Sequence, residues 1–110
     1  MSETLIPVLN SKPSVKICMN LVVAAHSSFE FDIKGYKSFT ADITTNHPLT
    51  ALVIYGDSTE LYRKNESVEY VTKTIAFDIS LYSKLKIVGT STYDDGHYWY
   101  GYNLNNLVIS

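Results

Sequence analysis

Alternation of apolar and polar side chains with a period of two, broken by turn residues at short intervals, is what most restricts the folds open to this chain. In Phe29-Glu30-Phe31-Asp32-Ile33 the apolar residues fall on one side and the carboxylates on the other, the mark of a strand with one buried face. Phe39, Ala41 and Ile43 alternate with Thr40 and Asp42, and Ile75, Phe77 and Ile79 alternate with Thr74, Ala76 and Asp78. Gly35 suits a tight turn after the first of these runs. Asn46-His47-Pro48 interrupts the second, because Pro48 has no N–H to give a ladder. Residues 49–55 are densely apolar and read as a central strand. Gly56-Asp57-Ser58 separates them from residues 60–63 and predicts a hairpin. Leu85-Lys86-Ile87 and residues 104–109 add further strands. No stretch places apolar residues at i, i+3, i+4 and i+7, so no helix is expected. The count is about eight to ten strands with turn signals roughly every ten residues, which argues for a β-sandwich or closed barrel. Two packed sheets would cover the apolar faces of such strands.

A length of 110 residues suits one domain, read as a single β-sandwich over residues 1–110. Nine tyrosines, with Val, Ile, Thr and Phe, reinforce the strand tendency. Hydrophobic residues make up 45% and charged residues 18%, which excludes a disordered chain. The longest apolar run, residues 21–25, is far short of the roughly 20 residues of a bilayer helix, so no membrane span is expected. Nine Lys and Arg against eleven Asp and Glu leave a net charge of −2. The basic residues are scattered, and only Arg63-Lys64 are adjacent, so no nucleic-acid partner is expected. Met1-Ser2-Glu3-Thr4 opens without a basic stretch leading into an apolar core. The expectation is a chain without a signal peptide: cytoplasmic, part of a phage particle, or a fragment of a longer secreted protein.

Few residues carry an obvious chemistry. The single cysteine, Cys18, cannot form an internal disulfide or a Cys-based zinc cluster, and its place in an apolar stretch predicts a buried thiol. His26, His47 and His97 have no metal-ligand spacing. His26 is expected to be a buried, hydrogen-bonded histidine and His47 an exposed loop residue. Asp94-Asp95 is the one candidate for calcium, but two neighbouring aspartates fall short of the six to eight oxygens that calcium takes. No cofactor is therefore assigned. No nucleophile elbow, phosphate-binding loop or dinucleotide glycine pattern occurs, and no catalytic residue is assigned. Asn65-Glu66-Ser67 is a glycosylation sequon that reads here as an exposed loop.

The most suggestive stretch is Tyr93-Asp94-Asp95-Gly96-His97-Tyr98-Trp99-Tyr100-Gly101-Tyr102-Asn103, with four tyrosines and the only tryptophan. Sugars present apolar C–H faces and a ring of hydroxyls. A site for them needs a flat aromatic platform with donors and acceptors beside it. Tyr93, Asp94, Asp95, His97, Trp99, Tyr100 and Asn103 are the candidate ligand-binding residues. The competing reading is that alternate aromatics of a strand simply enter the core.

Four stretches, in order, resemble the carbohydrate-binding module family known as NPCBM. Ala24-Ala25-His26-Ser27-Ser28-Phe29-Glu30-Phe31-Asp32-Ile33 is similar to its His-Ala-x-Ser segment leading into a strand. Gly35-Tyr36-Lys37-Ser38-Phe39-Thr40-Ala41-Asp42-Ile43 is similar to its Gly-x-Tyr-x-x-Phe strand, with one residue fewer after the glycine. Tyr55-Gly56-Asp57-Ser58-Thr59-Glu60-Leu61-Tyr62 resembles its Gly-Asp-Gly hairpin, with Ser58 in place of the second glycine. Residues 75–87 resemble its paired strands with a Val-Asp-Val centre. The C-terminal echo is Gly96-His97-Tyr98-Trp99, without the two aspartates that flank His and Trp in the family, and the family's early Trp-containing segment is missing. The resemblance implies an all-β, antiparallel jelly-roll sandwich of the galactose-binding, discoidin-like kind. It also implies non-catalytic glycan binding by loops at one end.

The first functional expectation is therefore a non-catalytic glycan-binding sandwich. The second is a structural or interaction module, such as a phage tail or virion component or the subunit of an oligomer, because exposed tyrosines serve protein interfaces as well as sugars. A small enzyme is the third.

Overall fold

The computed structural model describes residues 15–45, 50–67, 69–92 and 101–110. Among them are eight strands: β1 (Ile17–Val23), β2 (Ser27–Asp32), β3 (Ser38–Thr45), β4 (Ala51–Gly56), β5 (Thr59–Lys64), β6 (Thr72–Asp78), β7 (Lys84–Thr90) and β8 (Tyr102–Ile109). They form two four-stranded sheets, ordered β1-β8-β3-β6 and β2-β7-β4-β5. All neighbours are antiparallel. Only β4 and β5 adjoin both in sequence and in a sheet, and every other consecutive pair crosses from one sheet to the other. This is the jelly-roll arrangement. Among the described residues no helix is long and apolar enough to cross a membrane.

The alternation read from the sequence is the alternation that builds the core. Phe39, Ala41 and Ile43 of β3 are buried, as are Ile75 of β6 and Leu85 and Ile87 of β7. Phe29 and Phe31 of β2 and Phe77 of β6 pack against them half-buried. The β4 run is buried over Ala51, Leu52, Val53 and Ile54, since β7 and β5 flank it on both sides. Each aliphatic side chain fully buried in this way contributes about 1.5–3 kcal/mol of hydrophobic stabilisation.

In β8 the apolar phase changes midway. Tyr102 and Leu104 point inward, and so do Leu107 and Ile109. Two even positions and two odd ones cannot share a face in a regular strand, so an extra residue is required between them. The register shows it: Leu104 faces Leu21 and Leu107 faces Met19 on β1, while Asn105 faces Asp42 and Val108 faces Thr40 on β3. Asn106 takes up the excess at φ 52, a left-handed conformation that asparagine tolerates better than most residues.

Three expectations are corrected. Cys18 is exposed, not buried. In β1 the inward set is Ile17, Met19, Leu21 and Val23, and an apolar stretch that alternates sends its even members outward. His26 is also exposed. It stands at φ 63 in the turn from β1 to β2, which Ser27 closes by donating from Oγ to the Ala24 carbonyl at 2.6 Å. Finally, the strands within residues 75–87 do not pair with each other: β6 pairs with β3, and β7 with β2 and β4. The link between them carries the chain from one sheet to the other.

The hairpin expected at Gly56-Asp57-Ser58 is present, with Gly56 opposite Thr59. Asp57, at φ 53, also fastens the hairpin to the start of β7. Its N–H donates to the Lys84 carbonyl at 2.8 Å. Its Oδ1 accepts from the N–H groups of Ser83 and Lys84 at 3.2 and 3.0 Å. Gly35, at φ 91, sits in the turn closed by the Tyr36 N–H on the Ile33 carbonyl at 2.9 Å, as its sequence position suggested.

Candidate functional site

The strand registers define two ends of the sandwich. Val23 and Thr45 both pair with Tyr102, Ser27 pairs with Gly89, and Ala51 pairs with Thr90. The links spanning residues 24–26, 46–50, 65–71 and 91–101 therefore all leave from this end. Residues 33–37, 57–58 and 79–83 turn at the other.

Of the candidate ligand-binding residues, Tyr93, Asp94, Asp95, His97, Trp99 and Tyr100 lie outside the described residues, as does His47. Asn103 is described. It is half-buried on β8, between Val22 on β1 and Thr44 on β3. Alternation with the inward-facing Tyr102 puts it on the outer face of the first sheet, close to the end from which the aromatic segment departs.

The two points where that segment joins the sandwich are firmly held. On the β7 side, Glu66 accepts from the N–H and Oγ1 of Thr92 at 3.0 and 2.8 Å, tying the 65–71 link to the start of the 91–101 link. On the β8 side, Tyr102 is fully buried and its hydroxyl donates to the Thr50 carbonyl at 2.7 Å. Burial, helped by Tyr62, pushes the Tyr102 phenol far above the usual tyrosine range. The end of β1 and the turn after it press against Gly89 of β7 and against Gly101, just before β8. A Cβ at Gly89 would collide with the Ala24 carbonyl oxygen, and one at Gly101 would lie 2.5 Å from the Val23 carbonyl oxygen. Thr45 locks the 65–71 link from below. Its Oγ1 accepts from the Val71 N–H at 3.0 Å, and its own N–H donates to the Val71 carbonyl at 2.9 Å. A loop cluster on so rigid a base is the usual setting for a binding site on a β scaffold.

Sequence reading missed the residues that fasten this end, Glu66 and Thr92 above all, because 26 residues separate them and neither belongs to a motif. Among the described residues no group of three or more His, Cys, Asp and Glu is placed to hold a metal ion. A shallow depression of about 580 Å³ lies at the far end, along β3 and β6, between Lys37, Ser38, Thr40, Ala76, Asp78 and Ser80. Phe39 and Phe77 also line it, Phe39 fully buried and Phe77 half-buried, and it lies toward the end opposite the one from which the 91–101 link leaves.

No protein-family model and no curated protein sequence matches the chain. Solved structures do. The second CBM51 domain of Clostridium perfringens ZmpB, determined with the INT domains in complex with GlcNAc, aligns over 84% of this chain with a TM-score of 0.63 and 13% identity. A structure of the M60 catalytic domain of that protein with both of its CBM51 domains gives the same score over the same 84%. The CBM51 of a C. perfringens GH95 protein, in complex with methyl-galactose, aligns over 84% of this chain with a TM-score of 0.57 and 14% identity. The chain spans 21%, 10% and 69% of those three chains, respectively. At such identities the likeness is one of fold: this chain has a jelly-roll β-sandwich like that of the CBM51 domains.

Proposed function

We propose that the chain is a non-catalytic carbohydrate-binding module whose ligand site lies at the end of the sandwich that carries the 91–101 link. The observation that carries this reading is the alignment of 84% of the chain with sandwiches solved in complex with GlcNAc and with methyl-galactose. In the proposed site Trp99, Tyr93 or Tyr100 stacks on the apolar face of a sugar ring. Asp94, Asp95 and His97 bond its hydroxyls, and Asn103 contributes from the adjoining sheet face. The fixed anchors at Thr92 and Tyr102 support the proposal, since a loop held at both ends loses less conformational freedom on binding. A single shallow site of this kind binds weakly, so use in a cell relies on repetition or on a larger assembly.

A glycan array of the purified chain, with and without calcium, tests the proposal, followed by titration of any hit against Trp99→Ala. Binding that disappears with Trp99→Ala, in a protein whose circular dichroism is unchanged, supports it. A blank array from a folded chain that forms a stable oligomer favours the structural or interaction module instead.

A further inference from the structure

Two lysines stand where strand alternation calls for apolar side chains. On β5, Tyr62 and Lys64 are opposite Ile54 and Leu52 of β4, both fully buried, so they point to the same, inward side. On β6, Lys73 is in phase with Ile75 and Phe77 and also turns toward the space between the sheets. β5 and β6 are the outer strands of their sheets. These side chains therefore line an open flank of the sandwich, in a cleft of about 370 Å³ walled by Tyr62, Arg63, Lys64, Ser67, Glu69 and Lys73.

The cleft is cationic in an acidic chain. Arg63 is paired with Glu60, so Lys64 and Lys73 against Glu69 leave an excess of one positive charge among its walls, where the whole chain carries −2. Its groups are also held in place. Lys64 Nζ donates to Ser67 Oγ at 2.9 Å and to the Asn65 carbonyl at 3.2 Å. Arg63 Nε donates to Glu60 at 2.9 Å. Lys73 Nζ lies 5.8 Å from the centre of the Tyr62 ring, which packs in turn against Phe77 at 6.3 Å. Inward-facing lysines on outer strands deter edge-to-edge association, and that accounts for charge at these two positions. It does not account for an open cleft with an aromatic wall, nor for a lysine fixed by two acceptors at its rim.

We propose that this cleft is a binding site for an anionic saccharide, with the sugar ring against Tyr62 and its carboxylate or sulfate between Lys73 and Lys64. An ammonium attracts either acid group as a point charge, and the tyrosine ring supplies the apolar wall that a sugar's C–H face needs. The site draws on no residue of the aromatic segment, so it can fail while the loop-end site holds, and the reverse.

The test is an NMR titration of the full chain, at about 50 mM and about 300 mM salt, with four probes: glucuronic acid, galactose 6-sulfate, methyl-galactoside and inorganic sulfate. The expected result is perturbation of the Tyr62 and Lys73 resonances by the two acidic sugars, weaker at the higher salt, with little response to the neutral sugar. Lys73→Gln and Lys64→Gln, both near the surface, are each expected to weaken acidic-sugar binding by about tenfold, while Trp99→Ala leaves it unchanged. Preference for one acidic sugar identifies the acid group that the cleft accepts. The proposal is overturned if neither acidic sugar shifts these resonances, or if methyl-galactoside binds equally well. It is also overturned if inorganic sulfate matches galactose 6-sulfate, if both lysine variants bind as the parent does, or if Trp99→Ala abolishes the effect.

Discussion

The side-chain amide of Asn106 donates to Oδ2 of Asp42 at 3.0 Å, and this contact is the middle of a row that crosses the whole first sheet. On one side the Asn106 N–H donates to Oδ1 of Asn20 at 2.9 Å. On the other, Thr74 Oγ1 donates to Oδ1 of Asp42 at 2.6 Å. The row joins β1, β8, β3 and β6 in their order in the sheet. It passes through the bulge that lets β8 keep Leu104 and Leu107 on the same face.

Asn106 thus has two tasks, and substitutions separate them. Asn106→Gly keeps the left-handed backbone and loses the bond to Asp42. Asn106→Ala loses both, and the Cβ strain at φ 52 adds about 1–2 kcal/mol. Urea denaturation is expected to show Asn106→Ala less stable than Asn106→Gly by about 1 kcal/mol or more. Equal stability of the two would mean that the bulge relaxes.

The acid side of the stability profile follows from the aspartates. Hydrogen bonds from Thr74 and then Asn106 hold the Asp42 carboxyl below its ordinary range, and Ser80, through its hydroxyl and its N–H, does the same for Asp78. A carboxyl whose pKa is lower folded than unfolded stabilises the fold above the unfolded value, and that contribution is lost as pH falls through the folded one. Stability is therefore expected to be level near neutrality and to decline below about pH 4. Asp42→Asn, followed by denaturation at successive pH values, is expected to show a shallower acid decline than the parent.

Tyr102→Phe removes a buried hydroxyl and its hydrogen bond to the Thr50 carbonyl. The expected loss is about 1–3 kcal/mol, read as a lower midpoint in urea. The phenol also titrates later in the folded chain than in the unfolded one. Its contribution is fully present below about pH 10 and is lost as pH rises beyond. A spectrophotometric titration of the tyrosines in the folded parent is expected to leave the Tyr102 phenol unionised until the chain unfolds. Tyr102→Phe is expected to show one late-titrating group fewer than the parent.

Gly89 is where β7 passes beneath the β1–β2 turn. Gly89→Ala drives a methyl group into the Ala24 carbonyl, with Cγ1 of the buried Val23 only 3.0 Å away. A loss of about 3 kcal/mol is expected, visible as a drop in the thermal midpoint. If the turn shifts as a unit instead, the loss is smaller and the resonances of His26 and Ser27 move.

Much of this molecule was readable from local pattern, and the failures share a cause. Strands β2, β3 and β6 are legible from alternation, β4 from its dense apolar run, and the β4–β5 hairpin from Gly56-Asp57-Ser58. Even the bulge was latent in the change of phase between Leu104 and Leu107. Cys18 was misplaced because its stretch was read as apolar throughout, although Lys16 and Asn20, in phase with it, mark its side as the outward one, and His26 because a turn lifts its side chain clear of the core. At the loop end the aromatic segment announced itself by composition. The cleft did not, although Lys64 and Lys73 carry its signal as charges in an apolar phase.

By itself, the sequence determined that the chain is built of short alternating strands and, for most of them, which side chains face the core, because side-chain direction in a strand repeats every two residues and needs no partner to define it. Only the tertiary structure decided which strands share a sheet. β1 joins β8 across nearly the whole chain, and β6 turns away from its neighbour β7 to join β3. Such pairing depends on surfaces that meet only when the two sheets close on one another. For the same reason only the fold could bring Asp57 to Lys84, Glu66 to Thr92 and Lys73 to Tyr62.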